Sequence, residues 1–382
     1  MALAPSFHRS LTTTTMPIFK TPHPISITIR ALYAESTVTA GDGARDTDST
    51  TVEITPYNPS NAKDVDEAKK ITVEQPTSGQ IVITAPPPTW SSIFTRGTAV
   101  IRVVSPMHSS VDASARKGAI SVAGDVTNVV LKAGSGALRV DSADKVEANT
   151  GNGTIVVGRC RGPLNVQSHN GAVTVDYAGA DAVVQTSNGA LKIGKVVQAL
   201  QAHTANGAVT VDEAGADVDA TTHNGLVRLS YVSRGAIRAK TNNGKVWCGI
   251  ARDTRIASID AHTVAGRVHN SITDNGGSKG KVNVRLNTNS GDIYVDRADA
   301  PPSGGVDSVA EGVGRLDFAS ASGSGSNPPP PPPPQAQHIV TEEQDWGPIP
   351  PPSQPTYETL PPRYNQDWRV GETAPPGSTT GK

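Results

Sequence analysis

The sequence predicts an all-β protein: a β-solenoid, or β-helix, of coils about eighteen residues long, with a β-rich N-terminal cap and a disordered Pro-rich C-terminal tail. Three observations predict it. One phrase recurs, as "HNGAVTV" at 169–175, "SNGALKI" at 187–193 and "ANGAVTV" at 205–211. Around the glycine of each phrase, apolar and polar residues alternate with period two, the pattern of a strand with one buried face. The chain holds 37 Gly and 30 Pro but only 4% aromatic residues, which favours many short strands and tight turns over a core of large side chains.

The first fifteen residues, "MALAPSFHRSLTTTT", carry no acid, two basic residues and many hydroxyls. They lack the apolar stretch of a secretory signal and read as a disordered extension, 1–15, ahead of Met16. Residues 16–105 form the cap. "PISITI", "TTVEITPY", "KKITVEQPTSGQIVITAP" and "AVIRVVSP" alternate like strands and end in Pro or Gly. The third reads as a hairpin turning at Ser78-Gly79. Covering the first coil matters because an open sheet edge invites aggregation. "WSSIFTRG", 90–97, reads as an exposed loop.

Residues 106–300 carry the repeat. Its reference glycines are Gly118, Gly136, Gly153, Gly171, Gly189, Gly207, Gly225, Gly244, Gly266 and Gly291, spaced by 18, 17, 18, 18, 18, 18, 19, 22 and 25. Two residues after each stands a branched aliphatic, Ile120 through Val173, Leu191 and Val209 to Ile293. Four after, the aliphatics continue, with Cys248 and Asn270 as departures. Seven, five and three before lie further inward columns, the last of them Thr or Ser, as at Thr150, Ser168, Thr186 and Thr204. Asn152, Asn170, Asn188, Asn206, Asn224 and Asn243 directly precede their glycines, and Asn-Gly suits a tight corner. Each copy is thus strand, turn, strand.

In a solenoid, like positions stack at a rise of ~4.8 Å per coil. Asp141, Asp176 and Asp212, five after their glycines, alternate with Gly158, Gly194 and Ser230, so carboxylates recur only every second coil, roughly 9.6 Å apart. The uncharged Asn column can form an amide ladder. The alternative architecture is a propeller whose blade is a 36-residue double repeat. Cys160 and Cys248 fall on inward columns about five coils apart and read as buried small hydrophobes with no mutual disulfide.

Residues 301–382 change composition. "SASGSGSN" leads into seven prolines, Pro328 to Pro334, and the remainder cannot bury a core. One motif there has a mechanism: "LPPRY", in which Pro361, Pro362 and Tyr364 form the Pro-Pro-x-Tyr ligand read by WW domains. "QDW" occurs twice, at 344–346 and 366–368.

Charge excludes other classes. With 34 basic and 35 acidic residues the chain has no bulk field for nucleic acid, and its apolar runs are far shorter than the ~18 residues needed to span a bilayer. No phosphate loop or nucleophile elbow occurs, no cofactor is expected, and the cysteines match no zinc pattern. His169, His203, His223 and His262 point outward by parity.

The repeated T-x-N-G-x-V-x-V units resemble the putative adhesin family of β-strand-repeat domains of unknown function. So do "MPIFKTPHPISITI" at 16–29, "AHTVAGRVHNSI" at 261–272 and "NTNSGDIYVDRA" at 287–298. The resemblance spans roughly 16–298. It implies a β-helix-like fold, no established catalysis and surface attachment. The expected function is a non-catalytic adhesin-like scaffold for protein or surface interactions, its tail recruiting a WW-domain partner. A polysaccharide-acting β-helix enzyme using the Asp141, Asp176 and Asp212 stripe is the alternative, and a self-associating solenoid subunit a third. Without an evident secretory signal the expected location is cytoplasmic, with the cell surface as the alternative.

Overall fold

A computed structural model describes residues 17–21, 24–41, 48–86, 97–273 and 277–302. The proposed extension 1–15, nearly all of the 90–97 loop and nearly all of the 301–382 tail, including Pro361, Pro362 and Tyr364, lie outside the described residues.

The cap contains β1 (Ile18–Lys20), β2 (Ser26–Ala40), β3 (Ser49–Pro56), helix α1 (Ala62–Lys70), β4 (Thr72–Thr77), β5 (Gln80–Thr84) and β6 (Ala99–Ser105). The repeat begins at β7 (Ser110–Lys117). Strands β8 (Ile120–Ser135) and β9 (Leu138–Asn152) each run from one coil into the next. Then come β10 (Ile155–Cys160), β11 (Leu164–Asn170), β12 (Val173–Ala178), β13 (Ala182–Asn188), β14 (Leu191–Val196) and β15 (Leu200–Asn206). They are followed by β16 (Val209–Ala214), β17 (Val218–Asn224), β18 (Val227–Val232), β19 (Gly235–Asn243) and β20 (Val246–Ala251). The last are β21 (Arg255–Ala265), β22 (Val268–Asn270), β23 (Lys281–Ser290) and β24 (Ile293–Ala298).

Successive coils stack in parallel and in register. On one wall Leu164 faces Ala182, Ala182 faces Leu200, and Leu200 faces Val218. On the other, Val173 faces Leu191 and Leu191 faces Val209. Units translated along a common axis form a solenoid, and this rules out the propeller, whose blades turn about a hub. The inward columns are dry: Val175, Ile193 and Val211 are at most 1% exposed, as are Cys160 and Cys248.

The corner explains the recurring phrase. Each reference glycine after Gly118 sits over the carbonyl of the glycine of the neighbouring coil, so closely that a Cβ on Gly207 would overlap the Gly189 oxygen. The Thr column locks the same corner. Thr186 Oγ1 donates to Gly171 O at 3.1 Å, Thr204 to Gly189 O at 3.1 Å and Thr222 to Gly207 O at 2.9 Å. Thr204→Val keeps the shape of this fully buried side chain but removes its donor. It is expected to cost about 1–3 kcal/mol, read as a lower urea midpoint at an unchanged slope. The Asn side chains form the anticipated ladder on the outside, with Asn170, Asn188 and Asn206 each donating to the preceding Asn at 2.8–2.9 Å.

The alternation of Asp with Gly has a steric cause beyond charge spacing. Five residues after the corner the chain bends again and skips a register pair, from Val157↔Val175 to Arg159↔Tyr177. There Gly158 lies against the Asp141 carbonyl and Gly194 against the Asp176 carbonyl, with no room for a Cβ on either. Glycine relieves the crowding in those two coils, while Ser230 fills the equivalent position further along the stack.

Two features depart from the sequence expectation. First, the cap continues the stack although it lacks the phrase. β2 pairs in parallel with β7 and β8 on one side and with β5 and β6 on the other, so β5 and β6 trace a further coil. Antiparallel β4 and β3 then close the two walls, with β1 on β3, and the Ser78-Gly79 hairpin forms between β4 and β5 as expected. The cap also holds a helix where only strands were anticipated. Asn61 caps α1 by accepting from Lys63 N at 3.1 Å, and Asp64, in its first turn, accepts from Asn58 N at 3.0 Å and Thr98 N at 2.8 Å. Gly97, read as part of an exposed loop, is buried against the backbone of Lys63.

Second, coil order changes at the C-terminal end. β23 pairs with β19 and β24 with β20, while β21 and β22 lie outside them. The coil of Gly291 is inserted between those of Gly244 and Gly266. The longer spacings of 22 and 25 fall where this swap occurs.

Candidate interaction surface

The swap creates the most distinctive surface among the described residues. Residues three after the corner point outward, and in spatial order the final four are Arg228, Trp247, Tyr294 and His269, on β18, β20, β24 and β22. The Arg228 guanidinium lies 4.6 Å from the Trp247 ring centroid. His269 and Tyr294 stack at 4.8 Å with planes 9° apart, and Lys245 Nζ is 5.8 Å from the Tyr294 ring. Each cation–π contact is worth about 0.5–1 kcal/mol at exposed positions.

Two carboxylates pin the column. Trp247 Nε1 donates to Asp296 Oδ2 at 3.0 Å, and Ser271 Oγ donates to Asp296 Oδ1 at 2.6 Å. Tyr294 Oη donates to Asp292 at 3.3 Å. The Arg267 backbone N–H, the Tyr294 hydroxyl and Lys245 hold the Asp292 carboxyl below its ordinary range. The result is a fixed outward strip of ring edges and cations. Arg228 covers one face of the Trp247 ring and His269 one face of the Tyr294 ring. Sequence reading missed this strip because chain order separates Tyr294 from Trp247 by an entire coil.

The opposite wall is different in kind. Its shallow groove of about 350 Å³ is lined by Gln167, His169, Gln185, Ser187 and His203, with no Asp, Glu, Lys or Arg. His169 Nδ1 meets Ser187 Oγ at 3.2 Å, and His223 meets Asn242. These histidines are exposed, as parity indicated.

The aspartate stripe is not assembled into a centre. Asp141 pairs with Arg139 at 3.1 Å. Asp176 is raised above the usual carboxylate range by burial, an effect that Lys192 and Arg139 oppose. Two coils, roughly 9.6 Å, separate neighbouring members. Among the described residues no group of three or more His, Cys, Asp or Glu is placed to hold a metal, and no helix is long and apolar enough to cross a membrane.

The thiols are likewise inert. Burial pushes the Cys248 thiol up to about 12 and raises that of Cys160. Neither is expected to react with iodoacetamide at mildly alkaline pH until the protein is unfolded. Mass spectrometry of native and denatured samples checks this, and rapid native labelling of Cys248 would contradict its burial.

These features define a parallel β-solenoid repeat domain. The chain belongs to the Toastrack DUF4097 family, whose model matches residues 26–301 and whose function is unknown. No curated protein matches it. Among solved structures it is similar to a putative adhesin from Parabacteroides distasonis, with 13% identity over 75% of this chain and 98% of that one, at a TM-score of 0.33. A putative lipid binding protein from the same organism shares 10% identity over 75% and 97% of the two chains, at a TM-score of 0.32. A putative adhesin from Bacteroides fragilis shares 11% identity over 75% and 98%, at a TM-score of 0.25.

Proposed function

We propose that this protein is a non-catalytic adhesin-like scaffold that displays rigid solenoid walls to protein or surface partners, while its Pro-rich tail recruits a WW-domain protein through Pro361, Pro362 and Tyr364. The observation that carries the scaffold reading is the use made of the aspartates. Asp141 is engaged by Arg139 at 3.1 Å and neighbouring members of the stripe lie two coils, roughly 9.6 Å, apart, so they form no close carboxylate pair. The strip of Arg228, Trp247 and Tyr294 supports a contact role, since fixed aromatic and Arg side chains are the residue types that anchor interfaces. The tail reading rests on the motif alone.

The test uses the full chain and a panel of purified WW domains. Binding by one of them, lost in Tyr364→Ala and in a chain lacking 328–382 with the solenoid's melting temperature unchanged, is the expected result. Binding that survives Tyr364→Ala removes the WW reading. Turnover of a polysaccharide that is lost in Asp176→Asn, with stability intact, would replace the scaffold by an enzyme.

A further inference from the structure

One trough runs along the wall that carries His169 and His203. Its first bank is the row four residues before each corner, and its second bank the row two residues before. Register fixes the first bank: Arg30 faces Ser114, Ser114 faces Lys132, and Lys132 faces Asn149. Beyond Asn149 the row continues as Gln167, Gln185 and His203. At the N-terminal end a groove of about 830 Å³ lies between the banks, and the groove of about 350 Å³ that holds the histidines follows it. Asn149 lines both, and Gly134 and Gly151 keep the second bank low where they meet. From Arg30 to His203 the trough crosses six coil steps, roughly 29 Å at ~4.8 Å each.

The two ends of the trough differ in charge. Arg30, Arg116 and Lys132 line the N-terminal part, and neither bank holds an Asp or Glu along this length. Two acids stand close by, in the row behind the first bank. Asp112 accepts from Arg30 Nη1 at 2.8 Å, and Glu147 lies 3.8 Å from Lys132 Nζ. Among the described residues Arg116 has no carboxylate partner, and it is exposed. A cleft lined by one sign of charge raises the local concentration of the opposite ion. The rest of the trough is neutral and hydrogen-bonding. Asn149 Nδ2 donates to Gln167 Oε1 and Gln167 Nε2 to Gln185 Oε1, each at 3.3 Å. This ladder uses only one of the two N–H groups on each donating amide.

We infer that this trough binds a single chain of acidic polysaccharide, with uronate carboxylates at the Arg116 and Lys132 end and ring hydroxyls along the amide stretch. Other polymers fit less well. A peptide added as an extra strand needs a free edge, and β11, β13 and β15 are each paired on both sides. A peptide held by its side chains needs apolar pockets, which the amide stretch lacks. Single-stranded nucleic acid needs stacking platforms, and no Phe, Tyr or Trp lines either groove. Hydroxyl-rich rings bearing carboxylates ask only for what the banks supply, cations and amides that both donate and accept. The inference rests on the scaffold reading, to which it adds the chemical class of a surface partner.

The probe is oligogalacturonate long enough to span the trough, titrated calorimetrically into the full chain. Saturable binding that weakens with added salt is expected. An Arg116→Gln/Lys132→Gln variant should raise the dissociation constant by roughly tenfold or more. Gln167→Ala/Gln185→Ala should raise it several-fold, a loss that charge alone does not produce. All four positions face outward, so both variants should keep the parent's melting temperature. Absence of binding overturns the inference, as does binding indifferent to either pair of substitutions. Equal affinity for polyglutamate also overturns it, because the surface would then select charge and not sugar. None of these results touches the scaffold reading. If the oligogalacturonate is instead shortened on incubation, and both variants lose that turnover, the trough is upheld as a sugar site and the scaffold reading falls.

Discussion

Gly207→Ala is expected to destabilise the solenoid by about 3–5 kcal/mol, seen as a large fall in the urea midpoint. Two costs combine. The residue sits at φ +155°, where glycine is favoured, and its new methyl would run into the Gly189 carbonyl of the coil below. That carbonyl cannot yield, because it also accepts from Thr204 at 3.1 Å and belongs to a corner repeated in both directions. Gly79→Ala is the matched control. Its Cβ would meet nothing within 4 Å, in the hairpin between β4 and β5. A change within about 0.5 kcal/mol is expected there. Equal effects of the two substitutions would mean that corner crowding does not hold the repeat.

Ile193→Ala is the second large effect, about 2–5 kcal/mol. Ile193 is fully buried and stands in register between Val175 of β12 and Val211 of β16, with no side chain able to fill the gap from outside the column. In a stack whose coils touch only their neighbours, a cavity at the centre weakens the interfaces on both of its faces. Val268→Ala at the open end removes a residue that is already 44% exposed and is expected to cost less than about 1 kcal/mol. Chemical denaturation of both variants measures the contrast. Similar losses at the two sites would show that burial along the column is not what stabilises the coils.

Much of the architecture is legible in residue order because a solenoid writes its packing as a column. The corner glycines, the aliphatics two and four residues after them, the Thr column and the Asn ladder all follow from period-two alternation in a unit of constant length. Legibility fails where that constancy fails. Ala34 takes the corner position below Gly118, so the coil built by β2 carries no phrase, and neither does the one traced by β5 and β6. Helix α1 does have local signals in its Asn61 cap, early Asp64 and late Lys69 and Lys70, but its 9 residues carry no apolar stripe to separate it from the neighbouring strands. The aromatic strip was the least accessible feature. Trp247, His269 and Tyr294 are each ordinary outward residues, and only the exchange of the last two coils places Tyr294 between the others.

That exchange also sets a timetable. Synthesis runs from the N-terminus, so residues 255–270 leave the ribosome before 281–298, on which they must finally rest. Within the repeat, from β7 onward, every earlier coil meets a completed ledge as it emerges. The penultimate one does not: its seat has yet to be made, and the free rim of β19 and β20 is open to it in the meantime. The final coil therefore enters as a wedge between two elements already present, making the last strands translated the ones that fix where their predecessors come to lie.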